Sequence, residues 1–188
     1  MQFNEYRQLT TRTLPDLSSA LISPLINSIH MVLGMGSEIE ELYEAIDNED
    51  FTNVGEEISD MLWYAANYCN IHKIDPDGVP FTPHDQPLEI NIPKLKVAVT
   101  DLVKIVSKLQ DLDKKLLAYN RPVMHETRKE YIEYYFAILH AAYIYAGVDA
   151  EKSMEKNINK LIKRFPDKFS TYLANNRDLA AERIELER

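Results

Sequence analysis

Cysteine is almost absent from this chain of 188 residues. The one thiol, Cys69, excludes an intrachain disulfide, and its neighbours Tyr68 and Asn70 give it no ligand partner. A reducing compartment is the simple expectation. Basic charge is in deficit: 21 Lys plus Arg stand against 30 Asp plus Glu, a formal charge of −9 and a pI near 5.1. Such a field repels phosphate backbones, which removes nucleic acid as a general partner. No apolar run is long enough to cross a membrane, since the longest, from Tyr134 to Val148, is interrupted by His140 and falls short of roughly 20 residues. The opening MQFNEYRQ lacks the basic and apolar stretches of a secretory signal, so the expectation is a soluble, cytoplasmic protein. What is present, 45% hydrophobic and 27% charged residues, suits one globular domain over 1–188, with room for an internal duplication.

Glycine is scarce as well, at five residues, and nine prolines are concentrated in a few places. The long stretches between them carry 3.6-residue periodicity, which predicts an all-α fold, a helical bundle. Ile26, Ile29, Leu33, Met35, Ile39, Leu42 and Ile46 form one stripe of a helix from Leu25 to about Asp47. A second helix starts near Thr52 or Asn53, either of which can cap it, and runs to about His72. The short turn between them predicts an antiparallel hairpin. The segment IDPDGVPFTPHDQPLEINIP holds five of the nine prolines and reads as a surface loop. Further helices are expected over Lys94–Asn120, His125–Gly147 and Ala150–Arg164, the last ended by Phe165-Pro166. The charged tail from Asn175 reads as a short peripheral helix or a frayed end.

Shifted by 74 positions, Met31–Asp75 lies over Ile105–Asp149 without a gap, with Val32, Leu42, Glu56, Ile58 and Asp75 meeting identical residues. A degenerate second hairpin over 94–149 would follow, and two fused hairpins could form one four-helix bundle alone.

Two acidic motifs carry the functional argument: Glu38-x-x-Glu41 and Glu57-x-x-Asp60. A spacing of three places both members of a pair on one helix face. Both pairs are also symmetric about Glu49, so an antiparallel hairpin sets Glu38 level with Asp60 and Glu41 level with Glu57. Four carboxylates between two neighbouring helices repel one another unless a cation joins them. An all-oxygen donor set favours Mg²⁺ or Mn²⁺ over Zn²⁺, and Mg²⁺ held this way keeps positions for water and substrate phosphates. The competing reading is a solvated acidic face.

The stretches GMGSEIEELYEAI and GEEISDMLWYAANY, followed by KNINKLIKRFPDKF, resemble the MazG-like branch of the all-α nucleoside triphosphate pyrophosphohydrolases, as does the opening FNEYRQLTTRT. The resemblance implies hydrolysis of a nucleoside triphosphate to the monophosphate and pyrophosphate, with Mg²⁺ held by Glu38, Glu41, Glu57 and Asp60. It maps the family's closing Asn and Lys onto Asn157 and Lys160, with Arg164 one turn on. Those three share a helical face, and Lys160 with Arg164 would grip the pyrophosphate end. Glu41 is the candidate to accept the attacking water's proton. Trp63 and Tyr64 follow Asp60 by three and four residues and would line a base or ribose pocket, with core packing as the competing role for the tryptophan. Asn67 would read a base edge or satisfy a neighbouring backbone group. His30 reads as structural.

Ser37 and Glu40 replace two glycines of the family pattern, and Asn157 follows Asp60 by an unusually long interval. The inserted stretch is the second hairpin, whose equivalents of the four acids are Leu112, Lys115, Tyr131 and Tyr134, which cannot hold the same metals. This arrangement resembles dimeric dUTPases of the same superfamily. A dUTP- or alarmone-specific hydrolase, and a non-catalytic helical interaction protein, are the alternative readings. A homodimer or homotetramer is expected, because an isolated hairpin cannot bury both faces.

Overall fold

The computed structural model describes residues 1–14, 24–76, 81 and 88–187. Among them all regular structure is helical: α1 Phe3–Thr10, a 3₁₀ turn Thr11–Thr13, α2 Pro24–Asp47, α3 Phe51–His72, α4 Ile92–Tyr119, α5 His125–Ala146, α6 Ala150–Arg164, α7 Thr171–Asn175 and α8 Leu179–Glu187. Half of the proline-rich loop, at 77–80 and 82–87, lies outside the described residues. No described helix is long and apolar enough to cross a membrane.

Caps fix most of the boundaries. Asp50, rather than Thr52 or Asn53, caps α3 by accepting the Asn53 N–H at 3.1 Å. Asn91 and Asp149 do the same for α4 and α6, at 3.1 and 3.0 Å. Lys73 (φ 53°), Asn120 (φ 48°) and Gly147 (φ 72°) take left-handed conformations that close α3, α4 and α5. Asn120 and Gly147 are thus caps, one residue past the last helical turn.

The hairpins α2–α3 and α4–α5 pack α2 on α4 and α3 on α5, so one chain closes a four-helix bundle. Met31, Met35, Leu42, Ile58, Met61 and Leu62 of the first hairpin meet Leu102, Leu109, Ile132, Tyr135 and Leu139 of the second in one core. The offset of 74 recurs in the geometry. It carries the ends of α3 onto those of α5, and the bonds Lys73 N–H to Asn70 O and Ile74 N–H to Cys69 O onto Gly147 N–H to Ile144 O and Val148 N–H to Tyr143 O.

α1 packs on α3 and α6, and α8 packs on α6. Neither contact is foreshadowed by periodicity: the first ten residues carry no helix in the sequence reading, and the tail proves to be a docked helix with Glu182 and Leu186 buried. Cys69 is buried, which pushes its thiol up to about 12 and leaves it protonated.

Candidate active site

The acids sit where α2 and α3 run side by side. Oxygens of Glu38, Glu41 and Glu57 lie within 4.8 Å of one another. Asp60 borders the cluster but is turned away from it: Lys160 Nζ reaches its two oxygens at 2.8 and 2.6 Å, and Asn157 Nδ2 donates to Oδ1 at 2.6 Å. The expected fourfold convergence is therefore three plus one. A fully buried ammonium on α6 attracts the nearest carboxylate more strongly than the like-charged acids tolerate it.

Lys160 spends its remaining donor on Glu56 Oε1 at 3.0 Å. Burial alone would pull its pKa down, but Asp60 and Glu56 outweigh that and keep it charged. Asn157 is fixed in turn by Tyr6 of α1, whose hydroxyl lies 2.8 Å from Oδ1. Neither Asn157 nor Lys160 faces open space as a phosphate ligand would; both position Asp60. Tyr6 was missed by sequence reasoning, since a lone tyrosine on a short polar segment carries no signal of a partner 151 residues away.

The cluster opens on a cleft of about 720 Å³. Trp63 and Tyr64 line it, and His30 lies there too, edge-on to Tyr64 at 6.0 Å between ring centres. Trp63 Nε1 donates to Thr13 Oγ1 at 3.1 Å, which pins the indole at the cleft wall. Asn67 does not line the cleft. It is wholly buried, donates to Trp63 O at 3.0 Å and faces Thr10, so the backbone-satisfying role holds and base reading does not. Asn53, read from sequence only as a candidate helix cap, joins the site, since its amide nitrogen in the donating orientation lies 3.1 Å from Glu57 Oε1 and from Glu56 Oε2. Arg164 lines the far side, bound to Glu182.

Tyr64 is seated against Gly34, where a Cβ would come within 2.2 Å of the ring. Gly34→Ala should therefore expel the ring and lower stability by about 1–3 kcal/mol. Thermal melting of the single and double variants checks this: Gly34→Ala/Tyr64→Ala should lose less than the sum of the two single changes.

Burial and then the neighbouring Asp60 push Glu57 up to about 9 and Glu38 up to about 7, and the two carboxyls hydrogen-bond to each other when one is protonated. Both folded-state values exceed the ordinary 4.5. The folded chain thus binds more protons than the unfolded one between pH 4.5 and 9, and metal-free stability should fall as pH rises through that window. Glu57→Gln should melt several degrees above the wild type at pH 9 in a chelator and show little advantage at pH 5; an unchanged midpoint at pH 9 would contradict this electrostatic picture. A donor set of three clustered carboxylates, one buried and without a cationic partner among the contacts of the site, fits a hard divalent cation.

Residues 27–79 match the family model of the MazG nucleotide pyrophosphohydrolase domain. This segment of the chain is similar to a MazG domain. No curated protein and no solved structure matches it. The matched segment spans almost all of α2 and the whole of α3, and so contains the three clustered acids, Asp60, Trp63 and Tyr64 of the MazG-like hairpin. Asn157, Lys160 and Arg164 come from α6, outside the match.

Proposed function

We propose that the protein is a Mg²⁺-dependent nucleoside triphosphate pyrophosphohydrolase, cleaving a nucleotide to its monophosphate and pyrophosphate, with Mn²⁺ able to replace Mg²⁺. The observation that carries this reading is the cluster of Glu38, Glu41 and Glu57 at one end of a nucleotide-sized cleft walled by Trp63 and Tyr64, inside a segment that matches a pyrophosphohydrolase domain.

Glu38, Glu41 and Glu57 would hold the cation, with Asp60 as the fourth acid, aimed by Asn157 and Lys160. A bound divalent ion supplies charge neutralisation for the triphosphate and lowers the pKa of water. Glu41, the most exposed of the three clustered acids, would accept the proton of a water attacking the α-phosphorus. Asn53 holds Glu57, and Tyr64 with Trp63 offers a face for the base or ribose. Arg164 receives the phosphate end of the substrate. The second hairpin over 94–149 acts as a degenerate support in this reading, its repeat favouring deoxyuridine triphosphate as one substrate to test alongside an alarmone. The proposal includes a homodimer or homotetramer, for which outward apolar side chains such as Leu33, Val97 and Leu117 are available.

One assay tests the reaction: protein, Mg²⁺ and each common nucleoside triphosphate are mixed and the products separated. Pyrophosphate with monophosphate is expected, and orthophosphate as the product would refute the reading. A non-catalytic interaction protein would release neither. Metal binding is checked independently by melting, because saturation at 100 times Kd adds about 2.7 kcal/mol, or roughly 5–10 °C for a chain of this size.

A further inference from the structure

The cleft has two chemically different sets of lining groups. Acids of α2 and α3 form one, and the segment from Arg164 to α8 forms the other, with Arg164, Arg177 and Arg183 as the arginines among its described lining residues. Arg183 is committed outward, to Asp50 at 3.2 Å through each of two nitrogens and to Glu187 at 2.6 Å. Arg164 and Arg177 instead converge on one carboxylate, Glu182 of α8. Arg164 reaches it through Nε at 2.9 Å and a terminal nitrogen at 2.5 Å, and Arg177 through Nε at 3.2 Å and a terminal nitrogen at 2.7 Å.

Glu182 is only 3% exposed although its helix is nine residues long and lies at the edge of the fold. Burial would raise its pKa, but the two guanidinium groups hold it below the ordinary value, so the group is an anion. Two forked, permanently charged donor groups around one anion are the arrangement that a phosphate takes as readily as a carboxylate. With all three ammonium hydrogens of Lys160 spent on Asp60 and Glu56, this pair is the cationic counterpart that the cleft can offer a polyphosphate.

We propose that Arg164 and Arg177 form the subsite for the substrate's terminal phosphate, and that Glu182 of α8 fills that subsite as an internal anion until a polyphosphate displaces it. Arg177 and Glu182 thereby become binding and gating residues that lie outside the matched domain. The inference rests on the reading of the cleft as a nucleotide site. A terminal phosphate brings more negative charge and more acceptor oxygens than the carboxylate it replaces. α8 is also anchored by buried Leu186, by Lys156 Nζ donating to Leu186 O at 2.8 Å and by the Arg183–Asp50 pair on the surface, so the displacement of Glu182 is a local exchange at the arginines.

Calorimetric titration of the full chain with inorganic tripolyphosphate and Mg²⁺ tests the proposal without turnover. Glu182→Gln should bind at least threefold tighter than the wild type, and Arg177→Gln at least tenfold weaker. A Glu182 that only props the arginines in place predicts the opposite for Glu182→Gln, and weaker or equal binding there overturns the proposal, as does a wild type that does not bind tripolyphosphate. If Glu182→Gln does not fold, amide exchange in the wild type decides: saturating tripolyphosphate should speed exchange over 179–187, and unchanged or slowed exchange overturns the displacement. These binding results stand or fall apart from hydrolysis. Tighter binding by Glu182→Gln in a protein that cleaves no nucleotide would sink the enzymatic reading alone, and turnover with no effect of Glu182→Gln would sink this subsite alone.

Discussion

Glu41→Gln should cut pyrophosphate release by about 10²–10⁴-fold without lowering the metal-free melting temperature, since it removes a charge that repels Glu38 and Glu57. The two halves of that expectation have separate causes. Glu41 is exposed, so its carboxylate contributes little to holding α2 in place. Its oxygen lies with those of Glu38 and Glu57, so an isosteric amide removes the proposed cation ligand and proton acceptor without changing the shape of the site. Asp60→Asn should also abolish turnover, but with a cost in stability, because Lys160 is fully buried and would keep only Glu56 as an anionic partner. Steady-state assays and melting curves of both variants in chelator provide the check. Turnover within tenfold of wild type in both would remove the acids from the mechanism.

The largest effect on folding is expected far from the cleft. Arg128 of α5 pairs with Asp113 of α4 at 2.6 Å, with the two side chains 5% and 1% exposed. Asp113 Oδ2 accepts from Ser28 Oγ at 2.6 Å, the same hydroxyl lies 2.6 Å from His72 Nε2, and Arg128 also donates to the Tyr68 hydroxyl. Since the single hydroxyl proton of Ser28 goes to Asp113, His72 must carry its proton on Nε2 and donate. Burial, with Arg128 nearby, pushes His72 down to about 4, which keeps it neutral at physiological pH. This network ties the second hairpin to the first through charge. Asp113→Asn leaves a buried guanidinium without its anion and should cost about 3–5 kcal/mol, a fall of roughly 6–20 °C in melting temperature. Replacing both Asp113 and Arg128 by leucine should recover most of that loss, because no uncompensated charge remains. A single variant that melts with the wild type would show that water reaches the pair.

Sequence pattern was informative wherever the physics is local. The span of α6 follows from a helical stripe ended by Phe165-Pro166, and the faces of Glu38-x-x-Glu41 and Glu57-x-x-Asp60 follow from the three-residue spacing. The cap of α3 was misplaced by two or three residues because Asp50, Thr52 and Asn53 are all competent caps, and only the path of the chain into the turn chooses among them. The destination of Asp60 was not legible, since its partner Lys160 is 100 positions away on a helix whose docking depends on the whole core. Asp113 and Arg128 were illegible for a related reason. Under the offset of 74 they fall on Ile39 and Val54, buried apolar positions of the first hairpin, so the repeat pattern itself argues for core there.

Periodicity and charge spacing in the chain alone determined that the described residues are helical and that two acidic pairs lie on facing sides of a hairpin, and they raised the expectation of a cation between them. Tertiary packing decided which acid is neutralised by lysine and which three remain clustered, and it brought Arg164, Arg177 and Glu182 together in the lining of the same cleft. The division has a physical cause: the facing of a side chain on its own helix is fixed within one turn of backbone, whereas its partner is fixed only when distant helices compete to bury their apolar stripes.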